Sequence, residues 1–146
     1  MVYLDIVKSA NITLVKSQPL VAVVTGGTSG IGEATVHALA TARGKDGKGL
    51  RVYIVGRKEG VAKSIISECL KVCPKGDFRF VRAEDLSLLK DVDRVCTEIT
   101  KAEEAEMATG QKPRVDVLVM CHAHLSFEGR HGTSQPSLYH YVIPLF

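Results

Sequence analysis

The chain has 146 residues, a formal net charge of +3 and 45% hydrophobic residues, which is room for one domain and excludes disorder. The longest aliphatic run near the start, Leu20 to Val24, is far short of the roughly 20 residues of a spanning helix, and Asp5 and Lys8 leave no long apolar signal core. The charges alternate in sign rather than cluster, so no nucleic-acid or membrane partner is expected, and the expected location is cytoplasmic.

Residues 1–18 carry scattered apolar positions and read as an amino-terminal arm or short helix. Pro19 then sets off Leu20 to Thr25, a continuous aliphatic run bounded by Gly26, which predicts a strand buried on both faces. Ile31, Ala34, Thr35, Ala38, Leu39 and Ala42 recur at helical spacing, and Gly44 is a stop signal. Arg51 to Val55 reads as the second strand. Val61, Ala62, Ile65, Ile66, Cys69 and Leu70 mark the second of these helices, stopped by Pro74. Phe78 to Val81 gives the third strand.

Asp85-Leu86-Ser87 is expected to open the next helix, with Leu88, Leu89, Val92, Val95, Cys96, Ile99 and Ala102 on its apolar face. Its polar tail, Lys101 to Thr109, is expected to face solvent. Val115 to Met120 is the fourth strand. Beyond it the pattern fades, and residues 125–146 read as an irregular tail. The four cysteines, Cys69, Cys73, Cys96 and Cys121, read as small hydrophobes in a reducing compartment.

Strands alternating with helices predict an α/β fold with a parallel sheet. Right-handed crossovers put the helices after strands one and two on one face. If the fourth strand returns beside the first, the order is 3-2-1-4. The winding then reverses between strands one and four, the place where open α/β sheets bind ligands.

Thr25-Gly26-Gly27-Thr28-Ser29-Gly30-Ile31-Gly32 lies between the first strand and its helix. Glycine permits positive φ and keeps Cβ atoms away from a phosphate. The helix start adds free N–H groups and partial positive charge. Gly32 would let the helix pack close to the sheet, while Thr28 and Ser29 add hydroxyls, and Ser29 is also a capping residue. A tight strand-to-helix turn without a ligand is the plainer reading. Gly56, Arg57 and Lys58 end the second strand, where a basic residue matches a ribose 2′-phosphate, or simply forms a solvated turn. Asp85 at the same edge is suited to accept from an adenine amino group or to cap the following helix.

These residues carry a resemblance to the amino-terminal half of a short-chain dehydrogenase/reductase. The segment 25–32 matches that family's TGxxxGxG motif, Asp85-Leu86-Ser87 its Asp-Leu-Ser element, and Val115 to Val119 the strand before its Asn-Asn-Ala-Gly motif. Gly30 to Thr35, Tyr53 to Arg57 and Phe127 to Arg130 resemble a group of such proteins from filamentous fungi, several of them encoded beside secondary-metabolite pathways. The resemblance implies a Rossmann-like, doubly wound sheet over residues 19–124. It also implies an NADP(H)-dependent oxidoreductase of alcohols or carbonyls. Gly26, Thr28, Ser29, Gly30, Ile31 and Gly32 would line the pyrophosphate. Arg57, with Lys58, would meet the 2′-phosphate, and Asp85 and Leu86 would border the adenine.

The departures from the family are specific. Met120-Cys121-His122-Ala123 stands where the family has Asn-Asn-Ala-Gly. The family's Tyr-x-x-x-Lys pair is absent, because the last lysine is Lys112, so no catalytic residue is assigned. Tyr53 reads as core packing. Cys121, His122, His124 and His131 have the atoms of a zinc site but read as loop residues, and no metal is expected. A His122 proton shuttle is a further reading.

The chain ends soon after the fourth strand, which suggests a shortened chain. That strand would be an open sheet edge, a candidate for self-association, unless Leu138, Tyr139, Tyr141, Val142, Ile143, Leu145 and Phe146 cover it. The alternative is that residues 135–146 are foreign sequence from a frame change or retained intron. Three functions follow as expectations: an NADP-dependent oxidoreductase acting on an unknown small molecule, a catalytically inactive NADP-binding module, and a partner-binding fragment.

Overall fold

The computed structural model describes residues 3–45, 49–106 and 113–122. In chain order it contains α1 (Leu4–Ser17), β1 (Leu20–Thr25), α2 (Gly30–Arg43), β2 (Leu50–Gly56), α3 (Glu59–Val72), β3 (Asp77–Arg82), α4 (Leu89–Glu106) and β4 (Val117–Met120). The four strands form one parallel sheet in the order β3-β2-β1-β4, as the sequence pattern predicts. The segment 1–18, left between arm and helix, contains the helix α1, which lies against α2. Among the described residues no helix is long and apolar enough to cross a membrane.

The strand side chains alternate between two cores. Leu20, Ala22, Val24, Leu50, Val52 and Ile54 pack with Val36 and Ala40 of α2 and Ile65 and Cys69 of α3. Val21, Val23, Tyr53, Val55 and Val81 pack on the opposite face with Val95 and Ile99 of α4. Both faces of β1 and β2 are thus covered, which is why these strands are aliphatic at nearly every position. At β4 the cover is one-sided. Val117 and Val119 pack on the α2–α3 core, while Leu118 and Met120 are exposed.

Two sequence expectations need correction. The helix expected to open at Asp85 begins instead at Leu89. Asp91, buried in its first turn, accepts the backbone N–H groups of Glu84 and Asp85 at 2.7 and 2.8 Å, and Asp85 Oδ1 accepts from Ser87 N at 2.9 Å. These bonds hold 84–88 as a loop. The end of α4 is also not wholly solvated. Glu103 is 2% exposed because Tyr53 Oη and Arg51 Nη1 donate to its Oε1 at 2.7 and 2.9 Å. Burial and this bond push the Tyr53 hydroxyl up to about 12. Tyr53 packs in the core, as expected, and anchors α4 as well.

β4 starts two residues later than the expected Val115. Asp116 lies just before it, with Oδ2 accepting from Val21 N at 2.8 Å. Arg43, at the end of α2, is 1% exposed, and its Nη2 donates to the Gln18 and Gly49 carbonyls at 2.8 and 2.7 Å. It ties the entries of β1 and β2 together. The tail 125–146, its apolar cover, and His124 and His131 of the zinc reading lie outside the described residues.

Candidate functional site

A cleft of about 550 Å³ opens at the carboxyl ends of the strands. Each strand end contributes to it: Gly26, Thr28 and Ser29 after β1, Gly56 and Arg57 at β2, Ala83 to Ser87 after β3, and Cys121 and His122 after β4. Parallel strands make this convergence, since all their carboxyl ends lie on one side, and the winding reverses between β1 and β4.

The glycine loop is shaped by close approach. Gly26 has φ +69°, and a Cβ there would stand 3.0 Å from the Cys121 carbonyl carbon and 3.1 Å from His122 N. The loop therefore lies directly against the chain leaving β4. A Cβ on Gly32 would overlap the Gly26 carbonyl oxygen and come within 3.0 Å of the Gly27 Cα. Gly32 thus packs α2 onto the loop itself, where the sequence reading had it packing onto the sheet. Thr28 in turn sits over Gly56, whose added Cβ would meet its side chain at 2.8 Å.

Ser29 occupies the N-cap of α2 but its side chain makes no capping bond. The first N–H groups of the helix are consequently not taken by that hydroxyl, and the positive end of the helix dipole stays available to an anion.

Six of the ten residues singled out from sequence line the cleft: Gly26, Thr28, Ser29, Arg57, Asp85 and Leu86. The other four do not. Gly30, the first residue of α2, is exposed with φ +56°. Ile31 is 78% exposed, so only its backbone is placed to serve a ligand. Gly32 is buried beneath the loop, and Lys58 is exposed at the start of α3.

The wall after β3 is built by carboxylates. Ser87 side-chain and backbone donors hold the Asp85 carboxyl below its ordinary range, with Arg57 adding attraction. Asp85 is thus engaged in a turn and does not cap α4. Behind it, burial raises the Asp91 pKa, but the Asp85 N–H, the Arg94 guanidinium and the Glu84 N–H outweigh burial and bring it below the ordinary value. Arg94 Nη2 lies 2.6 Å from Asp91 Oδ1.

The wall after β4 carries a pair that motif reading alone does not show. Thr25 Oγ1 lies 2.7 Å from His122 Nδ1 and 3.5 Å from the Val119 carbonyl, while Cys121 N donates to the Thr25 carbonyl at 3.0 Å. Thr25 and His122 are 97 residues apart, so only the β1–β4 pairing joins them. Asp91 was also missed, since an aspartate inside a helix carries no motif. Among the described residues no group of three or more His, Cys, Asp or Glu is placed to hold a metal.

No family model matches the chain. Over 120 residues it is 45% identical to the short-chain dehydrogenase/reductase SAT2 of Stachybotrys chartarum, covering 82% of this chain and 34% of that protein. It is 35% identical over 133 residues to an oxidoreductase of Emericella nidulans, covering 91% of this chain and 36% of the relative. The chain therefore spans about a third of the length of these curated relatives. Among solved structures, the alcohol dehydrogenase of Thermococcus sibiricus complexed with 5-hydroxy-NADP superposes with a TM-score of 0.52 at 23% identity, covering 69% of this chain and 36% of that one. YwfH, an NADPH-dependent reductase involved in bacilysin biosynthesis, superposes with a TM-score of 0.54 at 21% identity, covering 69% and 34%. These structures share the fold, the fungal relatives share the sequence, and on both counts the chain belongs to the short-chain dehydrogenase/reductase family.

Proposed function

We propose that this chain forms the NADP(H)-binding part of an oxidoreductase acting on an alcohol or carbonyl in a biosynthetic pathway. The observation that carries the reading is the glycine cradle facing Arg57 across one cleft. Gly26 seats the loop directly against the chain leaving β4, and the start of α2, without a side-chain cap, adds donors beside it, which suits a pyrophosphate. Arg57 supplies a planar guanidinium at the edge of the same cleft, which suits a phosphate monoester better than a ribose diol. The NADP named with the Thermococcus sibiricus enzyme and the NADPH dependence of YwfH agree with this choice.

The nicotinamide, when bound, supplies the hydride chemistry. This chain's own residues would hold the phosphate and adenosine parts: Thr28 and Ser29 line the cleft beside the glycine loop, where their hydroxyls suit phosphate oxygens, and Asp85 and Leu86 line it after β3. A second reading is an NADP-binding module without turnover: Tyr53, followed four residues later by Arg57, is buried against Glu103 and does not line the cleft.

NADPH fluorescence titration tests the binding. Saturable binding is expected, and Arg57→Glu is expected to weaken NADPH by about tenfold or more while changing NADH little. No saturable binding below millimolar NADPH overturns both readings. Reduction of a generic carbonyl by the bound NADPH separates the enzyme from the silent module.

A further inference from the structure

We infer that His122 is a ligand-contacting residue of the cleft, its imidazole seated by Thr25 beside the glycine loop so that Nε2–H meets an anionic oxygen of the dinucleotide pyrophosphate. This rests on the dinucleotide reading above and extends it to a residue outside the glycine motif.

The geometry carries the inference in three steps. His122 lines the cleft, and its backbone N is the atom a Cβ on Gly26 would approach to 3.1 Å. The imidazole therefore springs from chain in contact with the loop that faces the phosphates. Nδ1 is engaged by Thr25 Oγ1 at 2.7 Å, which leaves Nε2 as the ring nitrogen for a ligand.

The Thr25 hydroxyl can donate to Nδ1, which puts the ring proton on Nε2, or accept from Nδ1–H while its own proton turns toward the Val119 carbonyl, 3.5 Å away. An anionic oxygen at Nε2 selects the first arrangement, in which Nε2–H is the donor.

The other charged or titratable groups lining the cleft are Arg57 after β2, Glu84 and Asp85 from the loop after β3, and Cys121 beside His122.

The experiment measures NADPH affinity by fluorescence at neutral pH for the wild type, His122→Gln, Thr25→Val and Thr25→Ser, read as the ratio of variant to wild-type dissociation constants. For His122→Gln the ratio is expected to be about tenfold. Thr25→Val is expected to weaken binding in the same direction, and Thr25→Ser to track the wild type.

A His122→Gln ratio near one overturns the inference. If His122→Gln does not fold, as judged by circular dichroism, equal dissociation constants for Thr25→Val and Thr25→Ser overturn it instead. A wild type without saturable NADPH binding overturns the dinucleotide reading itself, an outcome distinct from either.

Discussion

Glycines in one motif have unequal tasks. Gly32 is buried where a Cβ would overlap the Gly26 carbonyl oxygen and lie 2.8 Å from its carbon. Backbone on both sides leaves no flexible side chain to yield. Gly32→Ala is therefore expected to cost about 2 kcal/mol or more and to lower NADPH affinity by moving Gly26, checked by urea unfolding and fluorescence titration. Gly30 also has a positive φ, +56°, but a Cβ there meets nothing within 4 Å. Gly30→Ala bears only the left-handed penalty of about 1 kcal/mol. A motif written as three equivalent glycines is thus a positive-φ contact with the chain leaving β4 at Gly26, a positive-φ helix start at Gly30 and a packing contact at Gly32.

Among elements, the loop 84–88 shows how a helix positions a site wall. Asp91 belongs to α4, yet its carboxylate accepts the N–H groups of Glu84 and Asp85 and pairs with Arg94. Its pKa is depressed in the fold. The stability it contributes is therefore present above the ordinary aspartate value of about 3.9 and is lost as pH falls through the lower folded value. Urea midpoints measured from neutrality down to about pH 2.5 are expected to fall more steeply for the wild type than for Asp91→Asn, which has no such proton to take up. Superposable profiles would refute the role. Both loop N–H groups share Asp91 Oδ2, so Asp91→Asn keeps them only by turning its amide NH2 toward the Arg94 guanidinium, and NADPH affinity is expected to drop through the displaced wall.

The two ends of the sheet are built oppositely. The carboxyl ends carry glycines, short hydroxyls and an open cleft. Toward the amino ends, polar groups are locked: Arg43 holds the entries of β1 and β2, and Arg51 joins Asp77 and Glu103 at 2.8 and 2.9 Å. Rigidity there lets the other end be open.

Among the described residues β4 pairs with β1 alone, and Leu118 and Met120 are 59% and 66% exposed. An apolar edge of this kind favours pairing with another chain. Concentration-dependent association is expected in sedimentation velocity, and Leu118→Lys with Met120→Lys is expected to reduce it. A wild type that stays monomeric across the range refutes this use of the edge.

The sequence by itself determined the strand order and the place of the cleft. Aliphatic runs punctuated by glycine and proline leave few ways to bury both sheet faces, and right-handed crossovers select among them. It also pointed to Gly26, Thr28, Ser29, Arg57 and Asp85, because strand ends and loop glycines have local signatures, while Leu86 came from the family resemblance alone; all six line the cleft. Only the tertiary structure decided that Asp91 holds the loop after β3, that Glu103 is buried beneath Tyr53, and that Thr25 seats His122. Each joins atoms from separate elements, across 6, 50 and 97 residues. Such bonds follow from register and packing, and neither is written in local residue spacing.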